Sequence, residues 1–559
     1  MRVPVLQEPQ LFLLLALLIG VFSGLAAVCF RIAIAFGRFW LLGSSMHPPA
    51  NRLLLVLPVA GLVVAALVQL VFPAVRGSGV NQTKAAVYIY DGYIPFRTVI
   101  GKFLTSALAI GSGQSLGPED PSLQVGAGLA SAIGRLSGLS RDKLRLIAPL
   151  GAAAGLAAAF NSPITAVLFV IEEVIGTWSA VALGAIVLAA VSSAVVARWF
   201  LGDQPLFRVP EYHLAHTSEL ISYAILGLIG GFVALVFVKF AIFMRPRLRA
   251  LPRWTWYLQP AVAGIIIAGI AIWFPQITGA GYEYVDEAMR DRYVWQVLAI
   301  IGGLKIFTTV LSFTSGTPGG LFAPTLFIGA MVGGAVCGAT RSIFPWFDGS
   351  TGTFALIGMG TMFAGILRAP ITSVFMIIEV SGNYSIALPV MISNTIAYLV
   401  SRKYQREGIF DVLSRQDGVV LPSMEEQRET SVHRVEDAMR EEPVLVFTDV
   451  DTVSSALVRA NAVPTERLLV RVRPGTWTSV PAQRLKDLEG EGKGALALGS
   501  VLALSAAIPP VFPDQSLDVA LGLIGDQPFL PVVHRANPSR LVGVITVDQI
   551  LNAYRHERT

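Results

Sequence analysis

The sequence predicts an all-α polytopic membrane unit of two inverted repeats with broken helices, followed by a C-terminal α/β unit. Three observations predict it: long uncharged apolar runs, an internal repeat, and a change of composition near residue 403. Of the 559 residues, 54% are hydrophobic and only 14% are charged, with 53 Gly and 33 Pro. An ordinary globular domain carries about 25% charged residues, so this chain lacks the charge to cover a water-facing surface. Residues 11–30, 53–75, 146–171, 174–197, 254–282, 306–340 and 380–401 contain no Asp, Glu, Lys or Arg. A spanning helix needs about 20 mostly apolar residues. Soluble-enzyme readings are thereby excluded, and a net charge of +5 argues against a nucleic-acid partner.

From the N-terminus, the uncharged stretch up to Phe30 is longer than the roughly 7–15 apolar residues of a signal peptide, and is read as a first, retained membrane helix. Basic residues cluster at Arg141, Lys143 and Arg145, at Arg245, Arg247, Arg249 and Arg253, and at Arg402, Lys403 and Arg406. The positive-inside rule makes these loops cytoplasmic. Cys29 and Cys337 both lie in apolar runs, so neither a disulfide framework nor a zinc site is on offer.

The repeat spans halves at roughly 11–200 and 215–402. Phe72-Pro73 followed by Gly77-Ser78-Gly79 recurs as Phe274-Pro275 followed by Gly279-Ala280-Gly281, 202 residues on. Lys102 and Thr105 recur as Lys305 and Thr308, and the block Gly117, Pro121, Gly126 recurs as Gly320, Pro324, Gly329, each 203 residues on. Pro163-Ile164-Thr165 with Glu172 recurs as Pro370-Ile371-Thr372 with Glu379, 207 residues on. Two-fold repeats of this kind build transporter sites at the membrane midplane. An odd number of spans per half would invert the halves. Gly and Pro break many runs into pieces too short to cross, and irregular backbone at membrane depth is tolerated only inside protein or along a wet path.

The Gly/Pro blocks read as loops opening into helix N-termini, since Gly permits close backbone approach and Pro suits the first turn. Free N–H groups and the positive dipole end there attract anions. Several such N-termini converging about a pseudo-two-fold axis bind an anion without holding it as tightly as a lysine would. The acids suggest a second solute: ionisable residues at membrane depth are functional by default. Glu119 sits inside a Gly/Pro block, where a carboxylate competes with an anion for the same N–H groups and so can act as both gate and proton acceptor.

The order Gly77-Ser78-Gly79, Gly117-x-Glu119-x-Pro121, Phe160-Asn161-x-Pro163 to Glu172-Glu173, Gly320-Leu321-Phe322-Ala323-Pro324, and Arg368-Ala369-Pro370 to Glu379 and Asn383-Tyr384 resembles the CLC chloride channel and transporter family over roughly residues 10–415. The resemblance implies a homodimer of inverted halves in which each subunit holds its own anion pathway, domain 1–415 being that unit. It implies Ser78 as hydroxyl ligand of the central chloride within the Ser78-Gly79 turn, and the backbone N–H groups of Leu321 and Phe322 as further ligands. Glu119 corresponds to the external gating glutamate and Glu173 to the internal proton glutamate. An acid at the latter position is usual in exchangers, so the expected function is chloride/proton antiport. A passive gated chloride channel is the alternative, and a fluoride exporter a weaker one that Ser78 argues against.

Three departures stand out: Pro118 and Asp120 flank the gate in place of a basic residue and glycine, Asn81 replaces a proline, and Phe410 stands where the family has a hydroxyl-donating tyrosine. Plainer roles stay open. Ser78 can be a simple N-cap, Phe322 core filling, Glu173 a solvated helix-end acid, and Asp120 a helix N-terminal acid. Glu172 and Glu379, matched by the repeat, fit structural acceptors better than proton carriers.

Beyond Met424 the apolar segments shorten to Val444–Phe447, Leu468–Val472 and Leu541–Val547, with amphipathic stretches between. Residues 416–434 read as a linker. Residues 435–559 resemble a pair of cystathionine-β-synthase (CBS) domains, through Val435-x-Asp437-x-Met439, Asp451 to Leu457, Pro513-Asp514 to Leu521 and Leu541 to Thr546. Such pairs usually form an adenosine-ligand cleft. Here Gln549 replaces the ribose-binding aspartate, with Asp548 one place early, which favours a structural, dimer-supporting module over an adenine-nucleotide site. No other cofactor, no metal and no enzymatic constellation is expected. The expected partners are chloride, protons, lipid and a second copy; the expected location is the inner membrane of a prokaryote, with the tail cytoplasmic.

Overall fold

The computed structural model describes residues 8–176, 180–203, 207, 219–344, 347, 349–419, 421, 434–439, 445–461, 467–473, 476–501, 507–534 and 537–555. Most of the expected linker, residues 420 and 422–433, lies outside the described residues, as does Val444. The chain divides into two compact units, Met1–Gln427 and Arg428–Thr559.

Among its described residues the first unit is built of helices. Its first half contains α1 (Glu8–Leu42), α2 (Ala50–Ala66), α3 (Gly79–Tyr88), α4 (Phe96–Gly111), α5 (Glu119–Leu136), α6 (Arg141–Phe160), α7 (Pro163–Phe169) and α8 (Ala180–Leu201). The second half repeats the series as α9 (Glu219–Ala250), α10 (Gln259–Ala271), α11 (Tyr282–Met289), α12 (Trp295–Thr314), α13 (Phe322–Ile343), α14 (Thr351–Leu367), α15 (Pro370–Ser381) and α16 (Ala387–Tyr404), and α17 (Ile409–Gln416) follows. Among the described residues, eight helices are long and apolar enough to cross a membrane. The outward faces of α1 and α2 carry exposed Leu13, Leu17, Phe22, Leu55 and Val59, a surface suited to lipid rather than water.

Without a hydrophobic drive between helices in lipid, close packing needs small residues, and this accounts for part of the glycine excess. A Cβ on Gly126 of α5 would lie 2.2 Å from the Gly151 carbonyl of α6; one on Gly329 of α13 would lie 2.3 Å from the Gly358 carbonyl of α14. The same crossing is thus built twice.

The repeat is also a two-fold in space. Gly117 N–H donates to the Gly320 carbonyl at 2.9 Å and Gly320 N–H to the Gly117 carbonyl at 2.8 Å, a reciprocal antiparallel pair. Lys102 Nζ donates to the carbonyls of Val75 and Gly77, and Lys305 Nζ to those of Ile277 and Gly279. Each lysine thereby holds the turn that precedes α3 or α11.

Glu172 and Glu379 exchange caps. Glu379 accepts from the N–H groups of Ile164 and Thr165 (3.0 and 2.7 Å) at the start of α7, while Glu172 Oε2 accepts from Thr372 N–H (2.9 Å) at the start of α15. Proline at each N1 leaves these as the first donors that need partners. The structural reading of this pair follows from that geometry. Glu172→Ala or Glu379→Ala should each cost about 1–3 kcal/mol, the scale of an unmet buried donor, read as a lowered thermal midpoint in detergent.

Among its described residues the second unit, taken by itself, holds two larger apolar cores. Phe447, Val453, Leu468, Val480 and Leu485 form one; Val435, Leu517, Leu530, Ile545 and Ile550 form the other. A smaller cluster of Leu469, Trp477, Val533 and Val544 joins residues of both sheets. Strands β1 (Val446–Thr448), β2 (Arg467–Arg473), β3 (Thr476–Pro481) and β4 (Ala507–Ile508) make a sheet in that order, and β5 (Phe529–His534) pairs antiparallel with β6 (Asn537–Thr546). The last strand ends at Thr546, where the closing strand is expected to end, and leads directly into the helix Val547–Arg555.

Candidate functional site

The site forms where the N-termini of α3, α5 and α13 meet. Ser78 ends the turn before α3 as its N-cap, its Oγ accepting from Val80 N–H at 3.2 Å. The same hydroxyl donates to Asp120 Oδ2 at 3.1 Å, and Val80 N–H also donates to Asp120 Oδ1 at 2.9 Å. Gly79 has no room for a side chain, since a Cβ there would lie 2.7 Å from Asp120 Oδ1 and from the Gln124 Cβ. Ser78 and Gly79 therefore have a carboxylate directly against them.

Glu119 and Asp120, the first two residues of α5, are fully buried. They part in direction. Glu119 Oε2 accepts from Ala323 N–H at 3.2 Å, in the first turn of α13, and the Tyr282 hydroxyl donates to Glu119 Oε1. In the repeat, Phe322 and Ala323 occupy the places of Glu119 and Asp120, so the second half supplies backbone donors where the first supplies acids.

Leu321 and Phe322 lie at the head of α13, where the helix ladder offers their N–H groups no acceptor. The Phe322 ring is fully buried at the centre of an aromatic cluster. Ring centroids of Phe160, Phe169, Phe363 and Phe410 lie 6.0, 4.9, 5.6 and 6.2 Å from it. Its side chain is core filling, as the plainer reading has it, and that packing fixes where the α13 N-terminus points.

Phe410 packs its ring there, and its carbonyl accepts from Asn81 Nδ2 at 2.9 Å. Two of the departures thus belong to one contact. Asn81, free to place a side-chain amide where proline could not, ties α3 to α17. Phe410 brings bulk and no hydroxyl, so α17 offers the site no side-chain donor at that position.

Glu173 lies in a π-helical segment, Val170–Ile175, that continues α7. Such segments recur at functional sites. The solvated helix-end reading is corrected: Glu173 is buried, because α3 packs against its segment. Its Oε1 pairs with Lys84 Nζ at 2.7 Å, and the same ammonium reaches Asp411 Oδ1 at 3.1 Å.

Two cavities approach the carboxylates and share no lining residue. One, of 310 Å³, is lined by Arg76, Ser78, Asn81, Gln82, Thr98 and Asp417. The other, of 230 Å³, is lined by Arg31, Arg38, Pro118, Gly281, Tyr282 and Glu283. Asp120 bonds to the Ser78 of the first and Glu119 to the Tyr282 of the second.

Three residues here escaped the sequence reading. Lys84 was legible as the single charge between Arg76 and Asp91. Tyr282 follows the repeated Gly turn directly, but nothing in the sequence says which carboxylate it meets. Asp411 sits in a charge-rich segment that conceals it.

The profile of the family described as Voltage gated chloride channel matches residues 60–402. The chain belongs to that family. The H(+)/Cl(-) exchange transporter ClcA of Vibrio campbellii is 29% identical over 414 residues, 72% of this chain and 88% of that protein. In fold, the chain is similar to a slow cyanobacterial Cl−/H+ antiporter, with a TM-score of 0.67 and 24% identity over 73% of this chain and 98% of that one. It is also similar to a eukaryotic CLC transporter, with a TM-score of 0.61 and 19% identity over 96% of this chain and 98% of that one. The CLC fold of two inverted helical halves is thus established for α1–α16.

Proposed function

We propose that the chain is a chloride/proton antiporter, each copy in a homodimer carrying its own pathway. The observation that carries this reading is the Glu119 carboxylate on the α13 N-terminus, between a cavity that reaches Ser78 and one that reaches Tyr282. A carboxylate bound by helix N-terminal donors marks where a mobile anion would bind. Chloride enters by displacing it, and the displaced carboxyl takes a proton. Glu173, buried beside α3, exchanges that proton with the cytoplasm. The named exchange function of the Vibrio campbellii relative agrees with this reading.

Purified protein in liposomes given a chloride gradient should move protons uphill. Chloride flux without proton movement would sink the antiporter and leave the channel. The channel reading has one observation in its favour, the Lys84 ammonium that holds the Glu173 carboxylate in an ion pair. Repeating the flux with fluoride in place of chloride separates the exporter reading.

The C-terminal unit is proposed as a cytoplasmic CBS pair with a structural, dimer-supporting role, in a prokaryotic inner membrane. Its two larger apolar cores support the pairing. At the position of the ribose-binding acid, Gln549 Oε1 accepts from Thr546 N–H at 2.9 Å and Gln549 N–H returns to Thr546 Oγ1 at 3.3 Å. The side chain is spent on a local cap instead of facing a nucleotide.

A further inference from the structure

We infer that Asp120 is a second gate: its carboxylate is a tethered anion that fills the Ser78 site and must leave before chloride can bind there. The inference rests on the antiporter reading, because it concerns the same pathway.

The geometry is that of an occupied anion site. Asp120 is fully buried, yet its two oxygens take the Ser78 hydroxyl at 3.1 Å and the Val80 N–H at 2.9 Å. These are the groups that a mobile anion would use at the N-terminus of α3, a helix of ten residues. A carboxylate oxygen and a halide ask for the same donors, so only one can hold them at a time. The buried charge is tolerable because Lys102, fixed on the carbonyls of Val75 and Gly77, faces it. Lys305 has the equivalent place in the other half, where Ala323 replaces the acid. A carboxylate is present only on the half that carries Ser78.

Glu119 and Asp120 then divide one task. Neighbours on one helix turn, they reach different N-termini: Glu119 that of α13, Asp120 that of α3. A chloride ion crossing from the Ser78 cavity to the Tyr282 cavity has to displace both in turn. When Asp120 swings away, its charge leaves two donors that the incoming anion inherits, so the number of charges at the site stays the same. An apparent affinity falls by the fraction of time the site is open. If Asp120 holds it about nine-tenths of the time, removing the carboxylate tightens chloride binding about tenfold.

The test uses the full-length protein in detergent, titrated calorimetrically with chloride in chloride-free buffer, for wild type, Asp120→Asn and Asp120→Gly. Both variants should bind chloride about tenfold or more tightly than wild type. Crystals soaked in bromide should show anomalous density beside Ser78 Oγ in the variants and none there in wild type. Affinities within twofold of wild type, or bromide at Ser78 in the wild-type protein, would overturn the inference. The bromide map of wild type decides the matter even if a variant fails to fold. Wild-type liposomes that move neither chloride nor protons would defeat the antiporter reading instead, which separates the two failures.

Discussion

Glu119→Gln, reconstituted in liposomes under a chloride gradient, is expected to reduce proton movement to that of protein-free vesicles while chloride still crosses. Glutamine keeps the length of the side chain and an oxygen for the Ala323 N–H, so the packing around α5 and α13 is undisturbed. It loses two things. It cannot carry a proton, so the proton path has no terminus on the Tyr282 side. It also has no charge with which to compete at the α13 N-terminus, so a gate that chloride must push aside becomes a neutral neighbour. Removing a competing charge at a helix end is worth up to about 2 kcal/mol in a partly buried setting, enough to change chloride flux severalfold. Retained proton pumping in Glu119→Gln would show that another group carries the proton.

The second large effect is expected at Lys84. This ammonium is fully buried and joins Glu173 and Asp411, whose side chains are themselves only slightly exposed. Lys84→Met leaves two carboxylates facing each other without their cation. Breaking a buried ion pair from one side typically costs about 3–5 kcal/mol. The variant should therefore show a thermal midpoint many degrees lower. Lys84→Met/Glu173→Gln, with one carboxylate neutralised, should recover at least half of the loss. Additive losses in the double variant would mean the three groups are not energetically coupled. Glu173→Gln alone should abolish proton movement while chloride flux persists. That outcome separates a proton carrier from a purely structural anchor, which would lower stability with coupling intact.

The repeat made much of the fold legible before any coordinates. Pro163 and Pro370, with a glutamate nine residues after each, marked two equivalent helices, and the spacing alone suggested that the acids served structure. Their reciprocal capping follows from a two-fold axis, which a repeat with a near-constant offset already contains. The Ser78 and Leu321-Phe322 blocks were legible for the same reason: Gly and Pro at helix starts are local signals, set by backbone geometry within a few residues.

Contacts made across long sequence separations were not legible. Asn81 and Phe410 looked like two independent departures from a pattern, yet the amide of one holds the carbonyl of the other across 329 residues. Asp120 could be read as an ordinary acid in a helix first turn, because helix starts favour negative charge. Only packing turns its carboxylate away from its own helix and onto α3.

By itself the sequence determined that this chain lives in lipid, that it is built twice over, and that Glu119 and Glu173 stand out as charges among apolar surroundings while much of the remaining charge lies in loops and in the tail. Those properties are sums over residues or spacings between them, so they survive without coordinates. Tertiary structure alone decided which acid meets which helix end: Glu119 with α13 and Tyr282, Asp120 with Ser78 and α3, Glu173 with Lys84 and Asp411. The physical reason is that a carboxylate in a dry interior must find donors within hydrogen-bonding distance. Which donors are in reach depends on how helices far apart in sequence come together.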